Sequence, residues 1–231
     1  GDQNVAIGQN SLDSNTEGQK NVAIGFKALC TNTTADQVVA VGCGALISNT
    51  TGANNVAVGS LSLEGTTTGS DNTAAGPASG LSLTTGSNNL LLGHDAGRSN
   101  SPNTITTGSD RIVLGNNSIT NAYIRVDWTV TSDLRDKMNI EPISHGLDFV
   151  NQLNPIKFNF KKSRENATSH GRKKYGFKAQ DILALEGEDN VIIDNEDPNS
   201  LKYIGSHLVP VLVNAIKELK ARIEVLENEW S

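Results

Sequence analysis

Short apolar runs of the form N-V-A-I/V-G return along the first half of the chain at a constant step. They are NVAIG at Asn4–Gly8 and Asn21–Gly25, VVAVG at Val38–Gly42, NVAVG at Asn55–Gly59, NTAAG at Asn72–Gly76 and NLLLG at Asn89–Gly93. The closing glycines are 17 residues apart, and a seventh block, RIVLG at Arg111–Gly115, follows a five-residue insertion. A second small-residue track, Gly18, Ala35, Gly52, Gly69, Gly86 and Gly108, precedes the next closing glycine by seven residues. Such constant phase predicts a stack of equivalent coils. Each run reads as a short strand, with two β-branched residues on one face and a small residue between them. A second apolar residue follows four later (Leu12, Leu29, Leu46, Leu63), until Gly80 and Gly97 stand in its place. Polar stretches such as SNTTGANN turn the chain back. Seventeen residues suffice for two short strands and two turns, one coil of a β-roll or β-helix.

The pattern then changes. Residues 116–131, NNSITNAYIRVDWTVT, alternate as strands do. From Ser132 the texture is that of a small α+β domain. A helix is expected over Ile143–Leu153 behind Pro142, a strand over Ile156–Phe160, and a strand running into a helix over Tyr175–Leu185. A short strand follows at Val191–Ile193, then a turn at Asp194–Ser200. In the final segment Val209, Leu212, Ile216, Leu219, Ile223, Leu226 and Trp230 alternate three and four apart. That spacing predicts a coiled coil, with Glu218, Lys220, Arg222, Glu224 and Glu227 outward. A helix docked on its own core would show a similar stripe. The fold class expected is therefore a mainly β repeat, residues 1–131, followed by a small α+β domain, residues 132–231, ending in a coiled-coil helix.

Composition sharpens this division. Residues 1–131 hold three of the ten aromatics, Phe26, Tyr123 and Trp128. One slender coil of Gly, Ser, Thr and Asn has little apolar mass to offset chain entropy, so order is expected only in an oligomer. A homotrimer, three chains sharing one apolar axis, satisfies both the roll and the heptads. The net charge of −6 divides into about −4 for residues 1–131 and −2 for the rest, which argues against nucleic-acid binding. The basic residues Lys161, Lys162, Arg164 and Arg172–Lys174 bracket a polar stretch and read as a solvated loop. Cys30 and Cys43 lack a metal-like spacing and read as small filler, with a disulfide as the minor alternative. No apolar run is long enough for a membrane helix, so no membrane insertion is expected. The opening GDQN is not a signal peptide and fits an excised fragment.

One short motif carries candidate chemistry: Ser132-Asp133-Leu134-Arg135-Asp136-Lys137. The plain reading is a helix start with Ser132 or Asp133 as N-cap and Arg135 and Lys137 solvated. The functional reading is a serine nucleophile, Ser132, with a lysine base, Lys137. That pairing needs a lysine held neutral by burial, because an ammonium cannot accept the hydroxyl proton. His94–Asp95 and His145 with Asp148 are weaker acid–base candidates, and His170 and His207 weaker metal ligands; no cofactor or metal is expected. The repeated Asn residues offer either a hydrogen-bonded ladder or a saccharide-binding face, the ladder being preferred.

Residues 1–115 resemble the NSVAIG-type heads of trimeric bacterial adhesins and the shafts of phage tail fibres. SDLRDKMNIEPI, YGFKAQDI at Tyr175–Ile182, and the helix from Leu208 ending in LEN resemble the intramolecular chaperone auto-processing domain, peptidase family S74. Such domains end phage tail fibres, tailspikes, endosialidases and neck appendages, and a relative occurs in myelin regulatory factor proteins. The resemblance implies a Ser132–Lys137 dyad, Asp133 beside the scissile bond, and a cut at Ser132–Asp133. It implies a trimerisation chaperone that sets the register of the roll and is then released. The expected setting is a virion tail, assembled in the cytoplasm of a bacterial host and bound to a cell-surface receptor, saccharide or protein. The alternative is a bacterial trimeric adhesin head without proteolysis.

Overall fold

The computed structural model describes residues 1–98, 104–162, 164–187 and 190–230. Contacts divide the chain into two compact units, Gly1–Ala122 with Lys161–Thr168, and Tyr123–Phe160 with Ser169–Ser231.

The first unit is a β-solenoid. Seven three-residue strands, β1 (Val5–Ile7), β2 (Val22–Ile24), β3 (Val39–Val41), β4 (Val56–Val58), β5 (Thr73–Ala75), β6 (Leu90–Leu92) and β7 (Ile112–Leu114), form one parallel sheet in sequence order. Each residue pairs with its repeat equivalent, as Ala23 with Ala40 and Ala40 with Ala57. Each coil contains one strand rather than the two expected from the sequence. The return leg is made of turns because three positions per coil hold the left-handed conformation, as at Lys20, Lys27 and Leu29, with φ of 58°, 55° and 53°. Such residues interrupt an extended run.

The 17-residue glycine track has a steric cause. Gly8, Gly25, Gly42, Gly59 and Gly76 have φ of 126–136°, and a Cβ on any of them would lie 2.5–2.7 Å from the carbonyl oxygen of the next glycine. Only a residue without a side chain lets successive coils stack at this corner. The interior is filled by the central strand alanines Ala23, Ala40, Ala57 and Ala74 and by Leu29, Leu46 and Leu63, all fully buried. Where Gly80 and Gly97 replace that leucine, Leu91 replaces the strand alanine. A Cβ on Gly80 would sit 2.7 Å from Leu91 Cδ1, and one on Gly97 3.1 Å from Leu91 Cδ2. The bulk has moved from turn to strand, keeping the coil filled.

Buried asparagines satisfy the turns. Asn55 Oδ1 accepts the Asn72 backbone N–H at 2.9 Å, and Asn72 Oδ1 accepts that of Asn89 at 3.0 Å. Their Nδ2 groups donate to Gly69, Gly86 and Gly108 carbonyls. These side chains are fully or almost fully buried, so they form a ladder and not a binding face. A second ladder, Asn15–Asn32–Asn49, stops where Thr66 follows and gives its hydroxyl to Leu83 O. Asn49 Oδ1 is left buried without a donor.

In the strands the β-branched residues point away from this interior. Two stacked columns, Val5-Val22-Val39-Val56 and Ile7-Ile24-Val41-Val58, run along the sheet, half-buried at best, and Ile7 is 58% exposed.

The second unit holds α1 (Leu147–Gln152), β8 (Ile156–Lys161) paired with β9 (Ser169–Gly176), α2 (Ala179–Glu186), β10 (Ile193–Asp194) antiparallel to β11 (Lys202–Tyr203), and α3 (Gly205–Glu229). Its core is Phe149, Ile182, Ile192, Ile193, Leu208 and Val211. Glu186, buried at the end of α2, accepts the backbone N–H groups of Val191, Ile192 and Ile193 at 2.8, 2.5 and 3.1 Å. The strand expected at Val191 starts two residues later because these donors are turned onto the carboxylate.

Residues 116–131 form no strand, and 117–131 are exposed; alternation alone does not make a strand without a neighbouring edge to bond. The helix expected from Ile143 begins at Leu147, and its N-terminus is set by a distant side chain. Leu147 N–H donates to Glu218 Oε2 at 2.8 Å, and Asn214 Nδ2 donates to His145 O at 2.9 Å. Glu218 therefore faces α1 and is not an outward coiled-coil residue.

Helix α3 has two apolar faces. Leu208, Val211 and Ala215 are buried in the domain core, whereas Val209, Leu212, Ile216, Leu219, Ile223, Leu226 and Trp230 are exposed. The heptad stripe is thus distinct from the face that docks on the chain's own core.

Candidate active site

The SDLRDK motif folds into a single 3-10 turn, Leu134–Asp136, with Asp133 as its N-cap. Asp133 Oδ1 accepts the Arg135 backbone N–H at 2.9 Å, as short acidic side chains do at helix starts. The turn is closed by Lys137 N–H on Leu134 O at 3.1 Å. It brings residues five apart together: Lys137 Nζ donates to Ser132 Oγ at 2.8 Å. The capping and the Ser–Lys contact coexist, so the two readings of the motif are compatible.

Arg135 is not merely solvated. Its Nε donates to Asp133 Oδ1 at 3.0 Å and its Nη2 to Asp133 Oδ2 at 2.6 Å. Hydrogen bonds from the Arg135 side chain and then its backbone hold the Asp133 carboxyl below the ordinary value of 3.8, and the same pairing raises Arg135. An i, i+2 Asp–Arg spacing matches no helical periodicity, so this pair leaves no signal in the sequence.

Ser132, Asp133, Arg135 and Lys137 are all exposed. The burial expected around Lys137 is not supplied within this chain. The hydroxyl and amine are in proton-transfer distance, but water has access to both.

The remaining candidates lie elsewhere and do not form sites. His94 Nδ1 lies 3.4 Å from Asp95 Oδ2, but Arg98 Nη1 holds Asp95 Oδ1 at 2.8 Å and Asn116 Nδ2 approaches the same His94 nitrogen at 3.2 Å. The His145 ring stacks on Phe149 at 4.3 Å, while Asp148 faces Arg222 at 3.5 Å. His207 Nδ1 contacts Val191 O at 2.7 Å, and His170 Nε2 is enclosed without a partner. Among the described residues no group of three His, Cys, Asp or Glu is placed to hold a metal ion, and Cys30 and Cys43 are free. No helix among them is long and apolar enough to cross a membrane.

In chain order, a parallel β-solenoid is followed by a small α+β region and a C-terminal helix. Residues 132–192 match the family model of Peptidase_S74, the chaperone of endosialidase. The match begins on Ser132 and covers the turn, α1, β8, β9 and α2. No curated protein and no solved structure matches the chain. The chain thus carries a chaperone-of-endosialidase segment behind a β-solenoid, which supports a chaperone role of the kind found with tail fibres.

Proposed function

We propose that residues 132–231 form a trimerisation chaperone for the solenoid of a phage tail fibre or receptor-binding protein, and then remove themselves by a single self-cleavage at the Ser132 junction. The observation that carries this reading is the 2.8 Å Lys137 Nζ–Ser132 Oγ contact at the start of the matched segment. Ser132 is the nucleophile and Lys137 the base.

Two apolar surfaces favour a homotrimer, the partly exposed columns of β-branched residues along the sheet and the exposed heptad stripe of α3. Parallel, non-local pairing between chains is slow to nucleate. A C-terminal domain that associates first raises the local concentration of the shafts and fixes their register. Neighbouring chains would also supply the desolvation that Lys137 lacks in one chain, which ties cleavage to completed assembly. Release of the domain then makes the shaft's persistence kinetic.

The bond is assigned to Ser132–Asp133 on the family resemblance. A hydroxyl attacking its own residue's carbonyl would close a four-membered ring, so this cut requires a Ser132 from another chain or a water activated by the dyad. Attack on the Thr131 carbonyl closes a five-membered ring. There Ser132 Oγ passes its proton to Lys137, the Thr131–Ser132 C–N bond breaks with the proton returned to the Ser132 nitrogen, and water hydrolyses the resulting ester. Electrophoresis of the wild type beside Ser132→Ala, with intact-mass measurement, tests both. An intact wild-type chain overturns the reading; a fragment starting at Asp133 or Ser132 assigns the bond.

The mature fibre would sit in the virion tail and bind a host-surface saccharide or protein. An adhesin head without proteolysis leaves the match at residues 132–192 without a role.

A further inference from the structure

Lys137 has an unusual choice of partners. Two carboxylates, Asp133 and Asp136, share its turn, and an ammonium near a free carboxylate is stabilised in its charged form. Yet its Nζ lies on the Ser132 hydroxyl at 2.8 Å, while the Asp133 carboxylate is occupied by three donors from Arg135. Both carboxylate oxygens of Asp133 are engaged, one of them twice. An isolated surface ion pair would mean little, but a two-pronged guanidinium–carboxylate pair with a backbone bond fixes geometry as well as charge.

We infer that Arg135 is a positioning residue: by clamping the Asp133 carboxylate it neutralises the anion beside the serine and leaves the Lys137 amine to the Ser132 hydroxyl. Arg135 touches neither reacting group and acts through Asp133. The clamp also fixes the side chain on the far side of the proposed scissile bond, so it orders the Ser132–Asp133 peptide. Among the described residues the Asp136 carboxylate makes no hydrogen bond or ion pair with Arg135 or Lys137. Asp136 lies within the turn, and its backbone N–H closes onto Asp133 O at 3.2 Å. This inference rests on the self-cleavage reading for its consequence but not for its geometry.

The test uses the full chain as wild type, Arg135→Ala, Asp133→Asn and the double variant, with assembly state and circular dichroism confirming an unchanged fold. Two quantities are read at each pH: the cleavage rate, and the rate at which an amine-selective acylating reagent labels Lys137. Freeing Asp133 in Arg135→Ala should slow both several-fold at neutral pH, the scale of a solvent-screened surface charge pair. The same rates should be regained only in more alkaline solution. In the Asp133→Asn background, removal of Arg135 should change neither quantity by more than about twofold, because no carboxylate is left to release. Equal losses in both backgrounds, or an unshifted pH profile, would overturn the inference while leaving self-cleavage intact. If the wild type is not cut, the self-cleavage reading falls, and Lys137 labelling alone still decides whether Arg135 controls the amine.

Discussion

Glu218 Oε2 accepts the backbone N–H of Leu147 at 2.8 Å across 71 positions of sequence, so the last helix of the chain caps the first helix of its domain. Gly146 makes room for the contact, since a Cβ there would collide with the Glu218 carboxylate. Asn214, one turn earlier on α3, donates to both Glu218 Oε1 and His145 O. Helix α1 is only six residues long and has no local side-chain cap, so this distant acceptor replaces one.

Glu218→Ala should therefore destabilise the C-terminal unit by about 1–2 kcal/mol, the usual loss on removing an N-terminal cap. Glu218→Gln, which keeps an acceptor, should lose less. Urea unfolding of the intact chain measures both; equal stability of Glu218→Ala and wild type would mean that the cap contributes nothing.

The solenoid gives a second prediction. Gly42→Ala combines φ of 136° with a Cβ 2.5 Å from Gly59 O, and backbone strain of this kind costs about 1–3 kcal/mol before the collision is counted. A lowered melting temperature is expected, with Thr51→Ala, at an exposed return-leg position, within about 0.5 kcal/mol of wild type. A Gly42→Ala chain that melts with the wild type would contradict the steric account of the repeat.

The repeat was the most legible part of the sequence because its cause is local and recurs in every coil. Gly42 does what Gly25 and Gly59 do, Leu46 what Leu29 and Leu63 do, and Asn55 what Asn72 and Asn89 do, and phase alone located them. Phase could not tell a second strand from turns, since the left-handed Lys27 and Leu29 carry no glycine to mark their conformation. In the C-terminal unit the decisive contacts are remote. Nothing near Leu147 announces Glu218, and the spacing of Glu218 on α3 suits an outward position equally well. At the site, spacing offered Ser132 or Asp133 as the cap and Ser132 with Lys137 as a candidate pair, whereas the Arg135 clamp depends on a 3-10 turn too short to leave a periodic signal.

The exposed stripe of α3 yields a third prediction. Burying a leucine-sized side chain contributes about 1.5–3 kcal/mol, so seven unburied heptad residues represent a large association energy. Sedimentation should show a trimer for wild type and dissociation for Leu219→Asp, with Lys217→Asp, off the stripe, unaffected. Leu219→Asp should also remain uncut although Ser132 and Lys137 are intact. Cleavage of a monomeric Leu219→Asp chain at the wild-type rate would separate proteolysis from assembly.

The pH dependence of cleavage follows from two groups with opposite requirements. Arg135 lowers the Asp133 carboxyl, so the ordering supplied by the clamp is complete above the ordinary value of 3.8 and is lost only as pH falls through the depressed folded value. Across the neutral and mildly acidic range the clamp is constant and cannot shape the profile. The base has to be the neutral amine, because an ammonium has no lone pair for the Ser132 proton. The cleavage rate should therefore rise monotonically with pH above about 5, for chains already assembled before the pH is changed. Ser132→Ala and Lys137→Ala should each stay intact, and the double variant should be no slower than either, since hydroxyl and amine act as one unit. Rates read from the loss of intact chain after a pH jump measure the profile. A rate that falls toward alkaline pH, or a Lys137→Ala chain cut as fast as wild type, would remove Lys137 from the role of base.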